Sequence, residues 1–248
     1  MIIIKNDEEI KLIREASRIT AQTIEYLGRF IKEGITTKEL DRIAEEFIRS
    51  QNAIPAFKGY RGYPASICAS VNDVVIHGIP NSRRLKEGDI ISIDIGVNYK
   101  GYFGDAAYTF PVGEISENAK KLMDVTKEAL YIGIKNAIIG KRTGDVGCAI
   151  EEYVEGFGFS VVRDFCGHGV GKMLHEEPAI PNFGERGFGY PFKKNMTVAI
   201  EPMVNEGISN VRILDDGWTV VTFDGSLSAH FEHTILITED GNEILTKI

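Results

Sequence analysis

The strongest constraint on this chain is that its second half repeats its first. The segment GITTKELDRIAEEFI (34 to 48) aligns with GKRTGDVGCAIEEYV (140 to 154) at a shift of 140 minus 34, or 106. Gly34 meets Gly140, Thr37 meets Thr143, Leu40 meets Val146, and Ala44-Glu45-Glu46-Phe47 meets Ile150-Glu151-Glu152-Tyr153. Each segment reads as a helix, with Thr37 or Thr143 available as N-cap and apolar residues at helical spacing behind it. The same shift aligns the longer helices upstream, whose apolar stripes run Ile13, Ala16, Ile24, Leu27 and Leu122, Val125, Ala129, Ile132.

The match continues into strands. HGIP (77 to 80) and HEEP (175 to 178) share a His-x-x-Pro frame, GDIISIDIGV answers NMTVAIEPMV, and GDAAYTFPV answers FEHTILIT. Asp94 thereby falls opposite Glu201, and Asp105 opposite Glu232. Each half, approximately 1–112 and 113–248, reads helix, helix, turn, strand, strand within a single domain. Any one acid in a strand reads as solvent-facing. Four at matching places, in strands apolar on both faces, read as a cluster on a shared sheet, because a buried carboxylate needs a partner.

With 248 residues, 43% hydrophobic and 26% charged, the chain can bury one substantial core or two small ones in close contact. A net charge of -8 argues against nonspecific nucleic-acid binding, which comes from displacing counterions with Lys and Arg. Cys68, Cys148 and Cys166 form no disulfide framework and suit a reducing compartment, with Cys148 a small buried thiol. The opening MIIIKNDEEI holds neither a signal peptide nor a membrane span, so a cytoplasmic protein is expected, and the sequon at Asn195 is read as chance.

The stretch FCGHGVGKMLHEEP (165 to 178) concentrates histidines, glycines and acids. It is not a phosphate loop, since Cys166 replaces the first glycine and Met173 the required hydroxyl. It is not an HExxH zinc helix either, because Ala179 stands where a second histidine would follow His175. It remains a Gly-rich turn that can bring His168 to the four acids. Crowded carboxylates repel unless cations sit among them. Two divalent ions about 3.5 to 4 Å apart would nearly neutralise the cluster and hold a water as nucleophile.

His77 in HGIP, Asp94 in IDIGV, Asp105 in GYFGDAAYTF, His168 in GHGVG, Glu201 in AIEPMV and Glu232 in FEHT resemble, in order and context, the site of type I (bacterial-type) methionine aminopeptidases. The resemblance covers nearly the whole chain. It implies an α+β pita-bread fold, two pseudo-symmetric halves sharing a curved antiparallel sheet with helices outside. It implies two divalent ions of cobalt, manganese, iron or zinc, held by Asp94, Asp105, His168, Glu201 and Glu232, with Asp105 and Glu232 bridging. Glu201 would shuttle protons, His175 would hydrogen-bond the scissile carbonyl, and His77 would contact the peptide near the scissile amide. Without the resemblance, His175 and His77 read as structural histidines near prolines, and His230 and His233 are read so in any case.

The apolar pocket implied for the substrate's first side chain is Phe57, Tyr60, Tyr63, Cys68, Leu174 and Trp218; Phe57 and Leu174 stand where bacterial members are expected to carry Cys and Phe. Asn72, Val74 and Ser228 match a monovalent-cation site for sodium or potassium. The implied substrates are N-termini of nascent polypeptides, which leaves the ribosome open as a partner of a monomeric enzyme. Two rival readings stand beside this one. Prolidase-like relatives carry an extra N-terminal domain, whereas the catalytic half here begins almost at Met1. A non-catalytic pita-bread module would have lost ligands, whereas all five are present.

Overall fold

The structure is a computed structural model and describes residues 2–247. Four helices, α1 (Asp7–Gly28), α2 (Thr37–Ser50), α3 (Glu117–Asn136) and α4 (Thr143–Glu155), pack over a nine-stranded sheet. Along the main path of that sheet the strands run Ile54–Pro55, Ile90–Tyr99, Tyr102–Pro111, Glu232–Ile237, Thr197–Ile200, Cys166–Gly169 and Glu176–Pro181. Cys68–Val71 pairs with Ile90–Tyr99, and Asn242–Ile244 with Glu232–Ile237. Every pairing is antiparallel. The two halves meet where Tyr102–Pro111 hydrogen-bonds Glu232–Ile237.

Period-two alternation explains why the central strands look apolar on both sides. Ile91, Ile93, Ile95 and Val97 face α1 and α2, in a core with Ile19, Ile24, Leu27, Leu40, Ala44 and Ile48. In the second half Val198, Ile200, Ile235 and Ile237 do the same beneath Leu122, Val125, Ala129, Val146 and Ile150. The α3 stripe deviates from the expectation at one end: Ile132 is only half-buried, and Gly133 and Ile134 take the inner position. At 100° per residue, position 133 lies close to the line of Leu122 and Ala129, while 132 lies well off it.

The helix starts also differ from the sequence reading. Thr36, not Thr37, caps α2: its Oγ1 accepts the Glu39 N–H at 3.1 Å, and the Glu39 carboxylate accepts the Thr36 N–H at 2.9 Å. At α4 the capping position is Arg142, whose N–H donates to Asp145 at 2.8 Å. Thr37 and Thr143 are instead the first helical residues, both buried, and each ties its helix to a loop. Thr37 Oγ1 accepts the Asn81 N–H at 2.8 Å, and Thr143 Oγ1 accepts that of Tyr190 at 3.2 Å. The repeat thus preserves a tertiary contact at these two positions, not a cap.

The second half is not the simple strand pair expected. Between Glu201 and Glu232 the chain builds short strands, Met203–Asn205, Val211–Ile213, Val220–Thr222 and Ser228–His230, which form two small three-stranded sheets with Ser160–Val161 and Val74–Ile76. This detour carries Trp218 to the pocket.

Candidate active site

Strand register alone puts five donors on the face away from the helices. Cys68 pairs with Asp94, Asp94 with Ala107, and Ala107 with Glu232, so these lie in one row across four strands. Asp105 is two residues from Ala107 and therefore on the same face. His233 pairs with Ile200 and His168 with Ala199, which brings Glu201 and His168 to that face as well. Asp105, His168 and Glu232 each present a ligand atom within 4.8 Å of the others. His168 Nε2 lies 3.4 Å from Glu201 Oε1 and 3.8 Å from Asp105 Oδ2.

The His168 ring is held for this task. Its Nδ1 is 2.9 Å from the Gly169 carbonyl, so Nδ1 carries the proton and Nε2 offers a lone pair to the acids. Burial brings its pKa down to about 4, which leaves it neutral. The glycines beside it serve a different purpose from the turn the sequence suggested. Residues 166–169 are a strand, and a Cβ on Gly167 would lie 2.4 Å from the Ala199 carbonyl. A side chain at that position would push His168 out of register.

The acids are electrostatically unfinished. Asp94 Oδ1, Asp105 Oδ1 and Glu232 Oε1 are buried without a hydrogen-bond partner. Burial raises the Asp94 pKa to about 7. Burial and then the charges of neighbouring acids raise those of Asp105, Glu201 and Glu232 well above the usual range. Orphaned carboxylate oxygens facing a neutral imidazole Nε2 are what a divalent cation completes, and this donor set fits one.

At pH 6 the raised carboxyls of the metal-free protein hold protons that a metal must displace. The rise in melting temperature given by a fixed manganese concentration should therefore grow as pH increases from 6 to 8, through the Asp94 value of about 7. Comparing metal-loaded with chelated protein at each pH cancels the titration of histidines away from the cluster. Equal shifts at both pH values would contradict the assignment.

The acids floor a pocket of about 150 Å³. Its walls include Phe57, Tyr60, Tyr63, Cys68, His77, Leu174, His175 and Trp218, all eight of the residues expected around substrate. Phe57, Tyr63, Cys68 and Leu174 are buried. Tyr63 meets Trp218 edge-on at 5.1 Å and Phe57 at 6.5 Å, and its hydroxyl reaches the carbonyls of Ile67 and Gly78. At the pocket's mouth His175 stacks on Tyr60 at 5.3 Å, with Nδ1 3.0 Å from the phenol oxygen. Desolvation, then His168 and Arg61, bring its pKa to about 3. His77 holds a left-handed φ of 58°, its ring set against Phe165 and Trp218, and burial brings its pKa to about 4.

Two residues escaped the sequence reading. Arg61 lines the pocket, its guanidinium 5.4 Å over the Tyr60 ring. His230, read as structural, has a buried Nε2 without a hydrogen bond, 3.9 Å from Glu201 Oε2. A signal for His230 existed, since it stands two residues before Glu232 at same-face spacing. His233, one residue on, bonds Thr246 Oγ1 at 3.0 Å behind the sheet. Asn72 and Ser228 are joined, the Ser228 N–H donating to the Asn72 carbonyl at 2.9 Å, while the Asn72 side chain is engaged with Asp89 and the Ile90 N–H.

This donor set, at the floor of an apolar pocket, fits a divalent metal with room beside it for an apolar side chain. The chain belongs to metallopeptidase family M24, whose sequence profile matches residues 11–239, and its architecture is that family's pita-bread fold. It is 56% identical to methionine aminopeptidase 1 of Bacillus subtilis over 248 residues, covering 100% of both chains. It superposes on the crystal structure of methionine aminopeptidase from Thermotoga maritima with a TM-score of 0.98, 49% identity and 100% coverage of both. Prolidase from Pyrococcus furiosus is more distant, at a TM-score of 0.81 and 26% identity, with 99% of this chain matched to 66% of that one.

Proposed function

We propose that this chain is a metal-dependent aminopeptidase that removes the N-terminal methionine from polypeptides whose second residue is small. The observation that carries the reading is the joining of two chemistries in one cavity: five metal donors form its floor and an apolar, aromatic and thiol-lined cup forms its wall. The unbranched methionine thioether suits that cup, sulfur being polarizable and favourable beside the rings of Tyr63 and Trp218. Similarity to a methionine aminopeptidase at 56% identity, against 26% to a prolidase, supports this reading over the prolidase one.

Asp94, Asp105, His168, Glu201 and Glu232 would hold two divalent ions, cobalt, manganese, iron or zinc according to availability. When bound, they supply a water acidic enough to attack at neutral pH and a Lewis acid for the scissile carbonyl. The remaining acts belong to the chain's own side chains. Glu201, its pKa raised by burial and by Asp105, takes a proton from the attacking water and returns it to the departing amine. With the Tyr60 hydroxyl, 3.0 Å away, donating to His175 Nδ1, Nε2–H would donate to the carbonyl oxygen as charge develops there. His77, fixed by Phe165 and Trp218, contacts the peptide near the scissile amide and assists the departing amine. A monovalent cation at Asn72, Val74 and Ser228 would use backbone carbonyls, since the Asn72 side chain is already bonded. Residues 1–112 and 113–248 act as one catalytic unit, on free N-termini, as a monomer; no described helix is long and apolar enough to cross a membrane.

An apolar pocket separates close analogues by only about 1 to 3 kcal/mol per methylene. Peptides beginning with norleucine should be cleaved within about tenfold of methionine, while the branched leucine should fall further behind. Competitive assays with matched peptides check this; leucine cleaved as well as methionine would show that the cup does not select.

A further inference from the structure

The turn that carries His175 is braced by a buried ion pair to which the chemistry above gives no role. Lys5 Nζ lies 2.7 Å from Glu176 Oε2, with side chains 3% and 0% exposed. Every other Lys or Arg ion pair among the described residues has at least one side chain 42% or more exposed. Glu176 Oε1 accepts the N–H groups of Lys172 and Met173 at 2.7 and 3.0 Å, which closes the turn leading into Leu174 and His175. The ammonium also donates to the Ile3 carbonyl at 3.1 Å.

Lys5 is itself fixed along its backbone. Its N–H donates to the Asn195 carbonyl at 3.0 Å, and its carbonyl accepts Asn195 Nδ2 at 3.1 Å. Room for its side chain comes from Gly171, where a Cβ would lie 2.6 Å from Lys5 Cε. The Gly171 carbonyl accepts the Phe103 N–H at 2.8 Å, tying the same turn to the strand that holds Asp105. Buried ion pairs are poor sources of net stability, because desolvating both charges offsets their attraction. Such a pair, satisfied on both sides and adjacent in sequence to His175, is better suited to fixing geometry.

We propose that Lys5 and Glu176 are positioning residues for His175 and Leu174, so that the N-terminal segment sets where the carbonyl donor and one wall of the cup stand. This rests on the reading of His175 as that donor. Removing one partner leaves the other charged and buried, and the turn moves to rehydrate it. A displacement of about 1 Å at a reacting group costs on the order of 100-fold in rate.

The test uses the full chain loaded with manganese, as Lys5→Met, Glu176→Gln and the double variant. Each single variant should lower kcat on a methionine-initiated peptide by about 10- to 100-fold, with metal content kept and KM changed less than about threefold. The double variant leaves no charge buried and should lie about 3- to 10-fold below the unaltered chain; it decides the matter if a single variant does not fold. The histidine ring NMR signals give a readout independent of turnover: that of His175 should move, while that of His233, behind the sheet, should not. Unchanged kcat with only a lower melting temperature, or an unmoved His175 signal, would overturn the proposal. If the unaltered chain cleaves no such peptide, the functional reading fails, while the His175 signal still decides whether the pair positions that ring.

Discussion

Asp105→Asn should abolish peptide cleavage and at the same time raise the melting temperature of the metal-free protein. The two effects share one cause. Asp105 is 3% exposed, has an unpartnered Oδ1, meets Asp94 as a like charge, and acts as one on Glu201 and Glu232. Removing its charge relieves that repulsion when no cation is present. Its backbone bonds to Thr234 are untouched, so the strand pairing stays. Yet the amide is a far weaker ligand, and loss of a metal-activated water costs on the order of 1,000-fold or more in turnover. Thermal melts with chelator and with manganese, alongside metal analysis and turnover, check all three consequences. A variant that keeps full activity, or whose metal-free form is destabilised, would remove Asp105 from the cluster's chemistry.

His175→Ala should divide the site the other way. His175 stands at the pocket's mouth, neutral, its ring set between those of Tyr60 and His168. Losing a donor to the developing oxyanion typically lowers turnover by about 100- to 1,000-fold. Metal content and the metal-induced melting shift should remain as in the unaltered chain, because His168 and the four acids are still in place. Loss of metal along with turnover would make His175 a part of the metal site; unchanged turnover would make it an ordinary wall residue.

Much of this site was legible because strand parity is a strict rule. Once the repeat placed Asp94, Asp105, Glu201 and Glu232 in four strands of one sheet, period-two alternation and antiparallel register left little freedom in which way they point. The helices were legible for the same reason, through their apolar stripes. What escaped depends on contacts between distant segments, which periodicity does not encode. Thr37 and Thr143 look like caps, yet they bond loops 44 and 47 residues away. Gly167 looks like part of a turn, yet it yields room to Ala199 on the adjacent strand. Lys5 gave no sign of its partner at Glu176, 171 positions along the chain. The His-x-x-Pro frame did carry meaning, since both His77 and His175 line the pocket.

The departures at Phe57 and Leu174 also resolve physically. Phe57 is seated over Gly96, where a Cβ would lie 2.5 Å from its ring, so the larger side chain is accommodated by backbone. With Leu174 it contributes to the same buried cluster as Tyr63 and Cys68. The cup stays apolar, and its shape is set by residues from both halves of the repeat.

Cleavage of four matched tetrapeptides by the manganese-loaded protein tests the central claim most directly: Met-Gly-Met-Met, its N-acetylated form, Leu-Gly-Met-Met and Met-Lys-Met-Met. The α-amine should be required because an acylated terminus loses its charge and two of the three N–H donors that the carboxylates of the floor can accept. Under the proposed function the second residue should be small, so the lysyl peptide should resist cleavage. The account predicts release of methionine from the first peptide alone, lost on chelation and restored by added metal. Efficient cleavage of the acetylated or leucyl peptide, or full activity after verified removal of metal, would contradict it.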